Sequence, residues 1–266
     1  VSFFTEQEVC MCRDLGLRLK SLVIFRNLLG GKVFSRLLAL LGEVKDNGEL
    51  AMRWGEFAAA LYEEGGDLGL YVLRAVTEDE NLYTRRFVRG ENTALFDAQL
   101  QNELSVLSAA AAFDGEELRR QSGLTFLARW ENTPVNLAAE YAQRMENAGK
   151  TGFGVFAQYH MFILDDAGKL LPIRHPDPQK LCELYGYERE RGLIIANTKA
   201  FLEGKPANNV LLYGDAGTGK SSTVKAVANE FYPEGLRLVE LKKTQLYLIQ
   251  SLMDDLTANP LKFIFF

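Results

Sequence analysis

A glycine-rich segment near the C-terminal end of the chain has residue types and a spacing suited to binding phosphate groups. It follows the pattern G-x-x-x-x-G-K-[ST] over Gly214-Asp215-Ala216-Gly217-Thr218-Gly219-Lys220-Ser221. Glycines allow backbone N–H groups to turn toward a polyphosphate, and a helix that starts there adds partial positive charge. Lys220 can then neutralise the β- and γ-phosphates, while the Ser221 hydroxyl ligates Mg²⁺. The pattern predicts a P-loop that binds ATP or ADP.

The segments on either side of this loop are those that a P-loop requires. Residues 209–213 form a short apolar run that predicts a buried strand. After the loop, Val224, Val227, Ala228 and Phe231 recur at helical spacing. A glycine-rich turn could match the pattern by accident, but the four fixed positions and both flanking elements favour the phosphate site.

The composition places the chain among globular proteins. It has 266 residues, 47% of them hydrophobic and 24% charged, with a formal net charge of −5. Acidic residues outnumber basic ones, and their excess lies before residue 206. A surface that binds nucleic acid is therefore not indicated. The longest apolar region, 22–41, is broken by charges and glycines, so no bilayer-spanning run is expected and a cytoplasmic protein is predicted. The three cysteines, Cys10, Cys12 and Cys182, are predicted to be buried structural thiols rather than metal ligands or disulfides.

Residues 1–148 show helical periodicity and little strand signal, which predicts a mainly α-helical N-terminal domain. The expected helices cover residues 33–41, 48–62, 67–75, 91–112, 115–120 and 136–147. No histidine precedes His160, and the acidic pairs in this region resemble solvated helix faces. A catalytic role for the region therefore has no support, and recognition of a protein partner is the preferred role.

Residues 149–178 differ in character from the helical region. The aromatic and branched residues of 153–164 predict a strand, and Asp165-Asp166-Ala167-Gly168 predicts the turn of a β-hairpin. An apolar run that ends in two aspartates also imitates a Walker B strand, but it precedes the P-loop and ends in a turn glycine, which disfavours that interpretation. The prolines of 175–178 predict a rigid linker.

Residues 179–266 alternate between helical and strand patterns. Strands are expected at 209–213, 236–241 and 261–266, with helices between them. Such alternation predicts a parallel sheet covered on both faces, and thus an α/β fold of the P-loop NTPase type.

This region resembles the N-terminal half of an AAA+ nucleotide-binding domain. The motifs that carry the resemblance are Tyr185-Gly186-Tyr187-Glu188, Asn197-Thr198, Phe201-Leu202-Glu203-Gly204, the run 206–214 and Gly217-Thr218-Gly219-Lys220-Ser221-Ser222. Together they are similar to a bacterial AAA+ ATPase family of unknown cellular function. The resemblance implies a cytoplasmic ATPase that uses ATP and Mg²⁺, and it covers about a third of the chain.

The resemblance also assigns individual residues. It implies phosphate contacts along the loop and at Ser222, a magnesium ligand at Ser221, and adenine contacts from the segment of Leu184, Tyr185 and Gly186. For Tyr185, ordinary core packing is an equal alternative.

In this family the Walker B acids follow the third strand directly, so they are expected after Phe266. We therefore expect the chain to be a fragment that binds nucleotide without appreciable turnover. A further strand, which follows Phe266 in the sequence, is expected to lie between the segments 210–213 and 262–266. No ladder of backbone hydrogen bonds should therefore join these two segments.

Two roles for the parent protein stay open. In the first, it hydrolyses ATP to remodel or load a macromolecular partner held by the helical domain. In the second, it is a non-hydrolysing adaptor whose nucleotide occupancy changes how that domain binds partners. A homo-oligomer is possible in either case. Two acidic residues after Phe266 would favour the first role.

Overall fold

The structure is a computed structural model that describes residues 6–165 and 167–266, with side chains from residue 13 onward. The chain divides into two compact units, Val1–Met145 and Glu146–Phe266. Among the described residues, no helix combines the length and the apolar character needed to cross a bilayer. The side chains of Cys10 and Cys12 lie outside this description.

The first unit is built from helices. They are α1 Glu6–Lys20, α2 Lys32–Leu40, α3 Asn47–Tyr62, α4 Leu68–Glu78, α5 Leu82–Val88, α6 Ala94–Ala111, α7 Glu116–Ser122 and α8 Leu137–Glu146, with a 3-10 helix at Arg26–Gly30. Helices α2, α3, α4, α6, α7 and α8 confirm the six predicted segments. Helices α1 and α5 were not predicted, and α5 has only seven residues, too few to repeat the helical period twice. The described part of this unit contains no strand, only one isolated bridge between Asp67 and Glu131.

Polar side chains define where several of these helices begin. Asp46, Asp67 and Asn81 each accept a hydrogen bond from the backbone N–H three residues later. Such caps satisfy amides that have no partner inside the helix. The core between the helices includes Trp54, which packs against Trp130 at 5.0 Å between ring centroids.

Asp67 connects the start of α4 to the loop before α8. Its carboxylate accepts hydrogen bonds from the amide of Leu70 at 3.0 Å and from the Thr133 hydroxyl at 2.5 Å. Burial acts to raise the pKa of Asp67, but the hydrogen bonds from Thr133 and from backbone amides outweigh it and hold the pKa below its ordinary 3.8.

We expect Asp67→Asn to reduce the unfolding free energy of the helical unit by about 1 kcal/mol at neutral pH, because asparagine keeps the cap but loses the charge-assisted component. A lowered carboxyl pKa stabilises the fold above the unfolded value and loses that effect as the pH falls through the folded value. The difference between the two proteins should therefore be constant above about pH 5 and shrink below 3.8. Urea unfolding followed by tryptophan fluorescence measures it, with the exposed Glu140→Gln as control. A difference that grows at acid pH would contradict this account.

The second unit is a mixed α/β arrangement. Its helices are α9 Ala148–Thr151, α10 Val155–Gln158, α11 Glu188–Leu202, α12 Lys220–Phe231 and α13 Ile249–Leu256, and its strands are β1 Met161–Leu164, β2 Leu170–Pro172, β3 Leu236–Glu240 and β4 Lys262–Phe265. Short 3-10 helices cover Leu181–Glu183, Tyr232–Glu234 and Lys243–Leu248.

The four strands form one sheet in the order β2-β1-β3-β4. Strands β1 and β3 are parallel, with Met161 opposite Leu238, and β3 and β4 are parallel, with Leu236 opposite Lys262. Strand β2 adds an antiparallel edge. One face of the sheet packs on α12 through Val227 and Phe231, and the other face packs on α13. The prediction of a sheet covered by helices on both faces is confirmed. The fold is compatible with a P-loop NTPase.

The predicted hairpin is present, but it belongs to the sheet. The amide of Asp165 donates to the carbonyl of Lys169 and the amide of Gly168 donates to the carbonyl of Asp165, which closes the turn. The Asp165 carboxylate accepts from the amides of Ala167 and Lys169 at 2.9 Å each. This carboxylate therefore caps its own turn, in agreement with the choice of a hairpin over a Walker B strand. The predicted division at 1–148, 149–178 and 179–266 stays a prediction.

Two strand predictions are wrong. The segment 153–164 is a strand only from Met161, because Val155–Gln158 forms a helical turn between two positive-φ glycines and the strand. The segment 209–213 is not a strand, and Leu211 and Tyr213 are 84% and 88% exposed. An extended segment forms a strand only when a neighbour takes up its N–H and C=O groups. Among the described residues no strand pairs with 209–213, so no ladder joins it to β4.

Candidate P-loop site

The P-loop lies at the carboxyl edge of the parallel strands. Helix α12 follows the loop, and Lys225 in its middle contacts Glu240 at the end of β3 with 3.0 Å between Nζ and Oε1. At the other end of the helix, Phe231 packs against Leu236 at the start of β3. The helix therefore runs antiparallel to the strand, and its N-terminus points out at the carboxyl edge. Ligands of open parallel sheets bind at this edge.

The glycines of the loop adopt backbone conformations that other residues rarely reach. Gly217 and Gly219 have φ of 81° and 79°, in the left-handed region, and Gly214 has φ of 137°. Nothing lies within 4 Å of a Cβ built on Gly217 or Gly219, so backbone conformation and not crowding requires glycine there. The turn that Gly219 makes leads directly into α12, which begins at Lys220.

The Lys220 side chain folds back over the loop. Its ammonium donates to the carbonyls of Gly214 at 2.9 Å and Asp215 at 2.6 Å, and to the Thr218 hydroxyl at 3.2 Å. The Thr218 hydroxyl in turn donates to the Asp215 carbonyl at 2.9 Å. These bonds place the positive charge inside the curve of the loop.

The N–H groups of the loop have no hydrogen-bond acceptor among the described residues. From Asp215 to Gly219, no amide donates a hydrogen bond within the described residues. The first intrahelical bond after them runs from the amide of Thr223 to the carbonyl of Gly219 at 2.8 Å. A row of free amides beside a lysine at a helix N-terminus is an arrangement that binds anions.

The remaining predicted phosphate and magnesium residues are solvent-accessible. Asp215, Ala216 and Ser221 are exposed, and Ser222 is half-buried. No group of three metal-ligating His, Cys, Asp or Glu side chains occurs in the described part of the chain. Ser221, at the second position of α12, offers one hydroxyl oxygen, and a magnesium ion held there would take further ligands from phosphate and water.

The segment predicted to contact adenine is exposed and has an unusual backbone. Tyr185 is 91% exposed, so the alternative of core packing is wrong for it. Gly186 and Tyr187 both have positive φ, 72° and 56°, and the Gly186 amide donates to Glu188 Oε1 at 3.0 Å. A bulky residue in the left-handed region is rare and costs free energy, so its neighbours must hold it there. Whether Tyr185 and Gly186 contact a base stays a prediction.

Sequence reasoning missed one residue that positions the approach to the loop. Asn197 of α11 donates to the carbonyl of Asn208 at 2.8 Å and accepts from the amide of Asn208 at 2.9 Å. Its carboxamide therefore pairs with the backbone much as a neighbouring strand would. Asn197 was noticed only as part of a resemblance, and a half-buried asparagine within a helix carries no signal for a partner eleven residues away.

Cys182 corrects another prediction. It is exposed and has a free thiol, because it lies on the outer side of the 3-10 helix Leu181–Glu183 whose Leu181 packs inward. The prediction that the cysteines are buried is wrong for this residue.

Part of the chain matches a described family. Residues 157–266 match the family model "Protein of unknown function (DUF815)". A stretch of 65 residues, 24% of this chain, is 38% identical to the replication factor C large subunit of Staphylothermus marinus. The stretch spans 15% of the length of that relative. No solved structure gives a significant match.

These findings agree with the resemblance at its coarser level. The family match and the partial similarity to a replication factor C subunit both point to AAA+-related proteins of an ATPase-like kind. The matched family region contains the whole P-loop and the strands β1 to β4. A bacterial source and a specific cellular role stay predictions.

Proposed function

We propose that this chain binds ATP and Mg²⁺ through the P-loop, as the nucleotide-binding part of an AAA+ protein. The observation that carries the proposal is the row of amides from Asp215 to Gly219, which have no acceptor among the described residues, beside the Lys220 ammonium at the start of α12. Polyphosphate would replace the loop carbonyls as partner of Lys220. Ser221 would supply its hydroxyl to the magnesium ion that bridges the β- and γ-phosphates.

The base would lie against the segment of Tyr185 and Gly186. An exposed tyrosine ring offers a flat surface on which a purine can stack. The protein would hydrolyse ATP to act on a macromolecular partner, which the helical unit would recognise. The exposed Leu95 and Phe126 of that unit are candidate contacts for a protein partner.

We expect Lys220→Ala to weaken binding of ATP in the presence of Mg²⁺ by about ten- to a hundredfold. A hydrogen bond to a charged group contributes about 1.5–3 kcal/mol, and the alanine side chain leaves the phosphate charge without its cation. Isothermal titration calorimetry on the full chain measures the change. Lys243→Ala is the matched control, because Lys243 is an exposed lysine of the same unit outside the loop. Equal affinities of the wild type and Lys220→Ala, or no binding by the wild type at millimolar ATP, would contradict the proposed function.

A further inference from the structure

One asparagine on the P-loop helix holds the segment that leads to Tyr185. The two hydrogens of Asn229 Nδ2 go to the carbonyls of Asp177 and Gln179, each at 2.8 Å. Its Oδ1 lies 2.8 Å from His160 Nε2. Because both amide hydrogens are used on the linker, the oxygen faces the histidine, and Nε2 of His160 must carry the proton that it donates.

Asn229 belongs to the same rigid helix as the P-loop lysine. It lies nine residues after Lys220, about 13 Å along the axis of α12. The linker that it holds continues into the 3-10 helix Leu181–Glu183, where Leu181 packs with Val227 and Phe231 of α12. Tyr185 and Gly186 follow this 3-10 helix after one residue, Leu184. The path from Asn229 to these two residues is therefore short. It is attached to α12 twice, by the hydrogen bonds of Asn229 and by the packing of Leu181.

Apart from local bonds such as that from the Gly186 amide to Glu188 Oε1, the exposed end of this path has few buried contacts. Tyr185 is 91% exposed, and the backbone at Gly186 and Tyr187 is in the left-handed region. A segment with few buried contacts keeps its position only where its ends are fixed. The two linker carbonyls on Asn229 fix one end, and α11 continues from the other.

We infer that Asn229 is a positioning residue for nucleotide specificity, which sets the base-binding segment at a defined place relative to the phosphate loop. The inference rests on the proposed function. Asn229 touches neither the phosphates nor the base, and it acts through the linker backbone. A nucleotide must contact the loop and the Tyr185 segment at once, so its affinity depends on their spacing, whereas a bare polyphosphate needs the loop alone.

The test compares ATP with inorganic tripolyphosphate, both with Mg²⁺, by calorimetry on the full chain. In Asn229→Asp the carboxylate can still accept the proton of His160 but has no hydrogen for the carbonyls of Asp177 and Gln179, so only the linker is released. We expect its ATP affinity to fall about tenfold and its tripolyphosphate affinity to stay within about twofold. A tenfold fall corresponds to a segment that occupies its binding position about a tenth of the time.

Two further variants separate positioning from general stability. Asn229→Ser removes the same donors without adding charge and should behave like Asn229→Asp. His160→Phe removes the hydrogen bond to Asn229 Oδ1 but keeps an aromatic ring against Tyr232 and leaves the bonds from Asn229 to the linker carbonyls intact. Its ratio of ATP affinity to tripolyphosphate affinity should therefore match that of the wild type. Glu230→Gln, at the exposed neighbouring position, is the control.

The outcomes distinguish this inference from the function on which it rests. If the Asn229 variants lose equal affinity for ATP and tripolyphosphate, or lose affinity for neither, the positioning role is wrong. The proposed function still stands in that case, provided that the wild type binds ATP. A wild type that binds neither probe would overturn both.

Discussion

Replacing Arg237 by methionine is expected to lower the stability of the second unit by about 3 kcal/mol or more. Arg237 lies on β3, one of the two inner strands, and is 0% exposed. Its Nε and Nη2 donate to the carbonyl of Phe156 at 2.9 and 2.8 Å, and its Nη1 donates to the carbonyl of Leu236 at 2.8 Å. Hydrogen bonds to a charged group contribute about 1.5–3 kcal/mol each, and their loss leaves buried carbonyls without a donor.

The guanidinium also organises the polypeptide before β1. It donates to carbonyls in two short helices, at Thr151 of α9 and Phe156 of α10, and its Cζ lies 4.4 Å from the centre of the Tyr232 ring. Helices of four residues cannot satisfy their own carbonyls, so donors must come from elsewhere. Arg237→Lys keeps the charge but not the planar fork, and should give an intermediate loss.

Hydrogen exchange of the β3 amides, analysed by mass spectrometry, measures the effect in the second unit directly. Arg189→Met, at an exposed arginine of α11, is the control. If the β3 amides of Arg237→Met are as well protected from exchange as those of the wild type, packing around the strand, and not the guanidinium, stabilises this part of the unit.

Replacing Glu103 by leucine is expected to destabilise the helical unit by about 3–5 kcal/mol. Glu103 of α6 is 1% exposed, and its carboxylate accepts from three successive amides, those of Val23, Ile24 and Phe25, at 2.8, 3.1 and 3.0 Å. Gln99 adds a fourth hydrogen bond at 2.7 Å. Leucine fills similar space but leaves the three amides without an acceptor in a mostly buried position, and each such group costs about 1–3 kcal/mol.

Urea unfolding followed by tryptophan fluorescence reports on this unit alone, because both tryptophans, Trp54 and Trp130, lie in it. Glu103→Gln should cost less than Glu103→Leu, since its amide oxygen still accepts while one acceptor becomes a donor. Glu140→Leu, at an exposed glutamate of α8, should have a small effect. A loss for Glu103→Leu no larger than that control would show that solvent can replace the carboxylate.

The sequence determined the parts of this protein whose signals are local. Six helices of the first unit follow from apolar residues at helical spacing, and the start of α12 follows from the glycines and Lys220 of the loop. The strands β3 and β4 follow from short apolar runs with helices between them. In each case neighbouring residues in the chain carry both the pattern and its cause, so spacing along the sequence is sufficient.

Only the tertiary structure decided which polar groups meet across the chain. Arg237 stands in the middle of an apolar strand, and nothing nearby in sequence indicates the carbonyls about eighty residues earlier that satisfy it. Glu103 resembles the solvated glutamates elsewhere in the helices, yet it binds amides that lie about eighty residues before it. The segment 209–213 shows the converse, because a run that looks like a strand becomes one only where a neighbour supplies hydrogen bonds. Burial and pairing depend on partners brought close by folding, and no local pattern contains them.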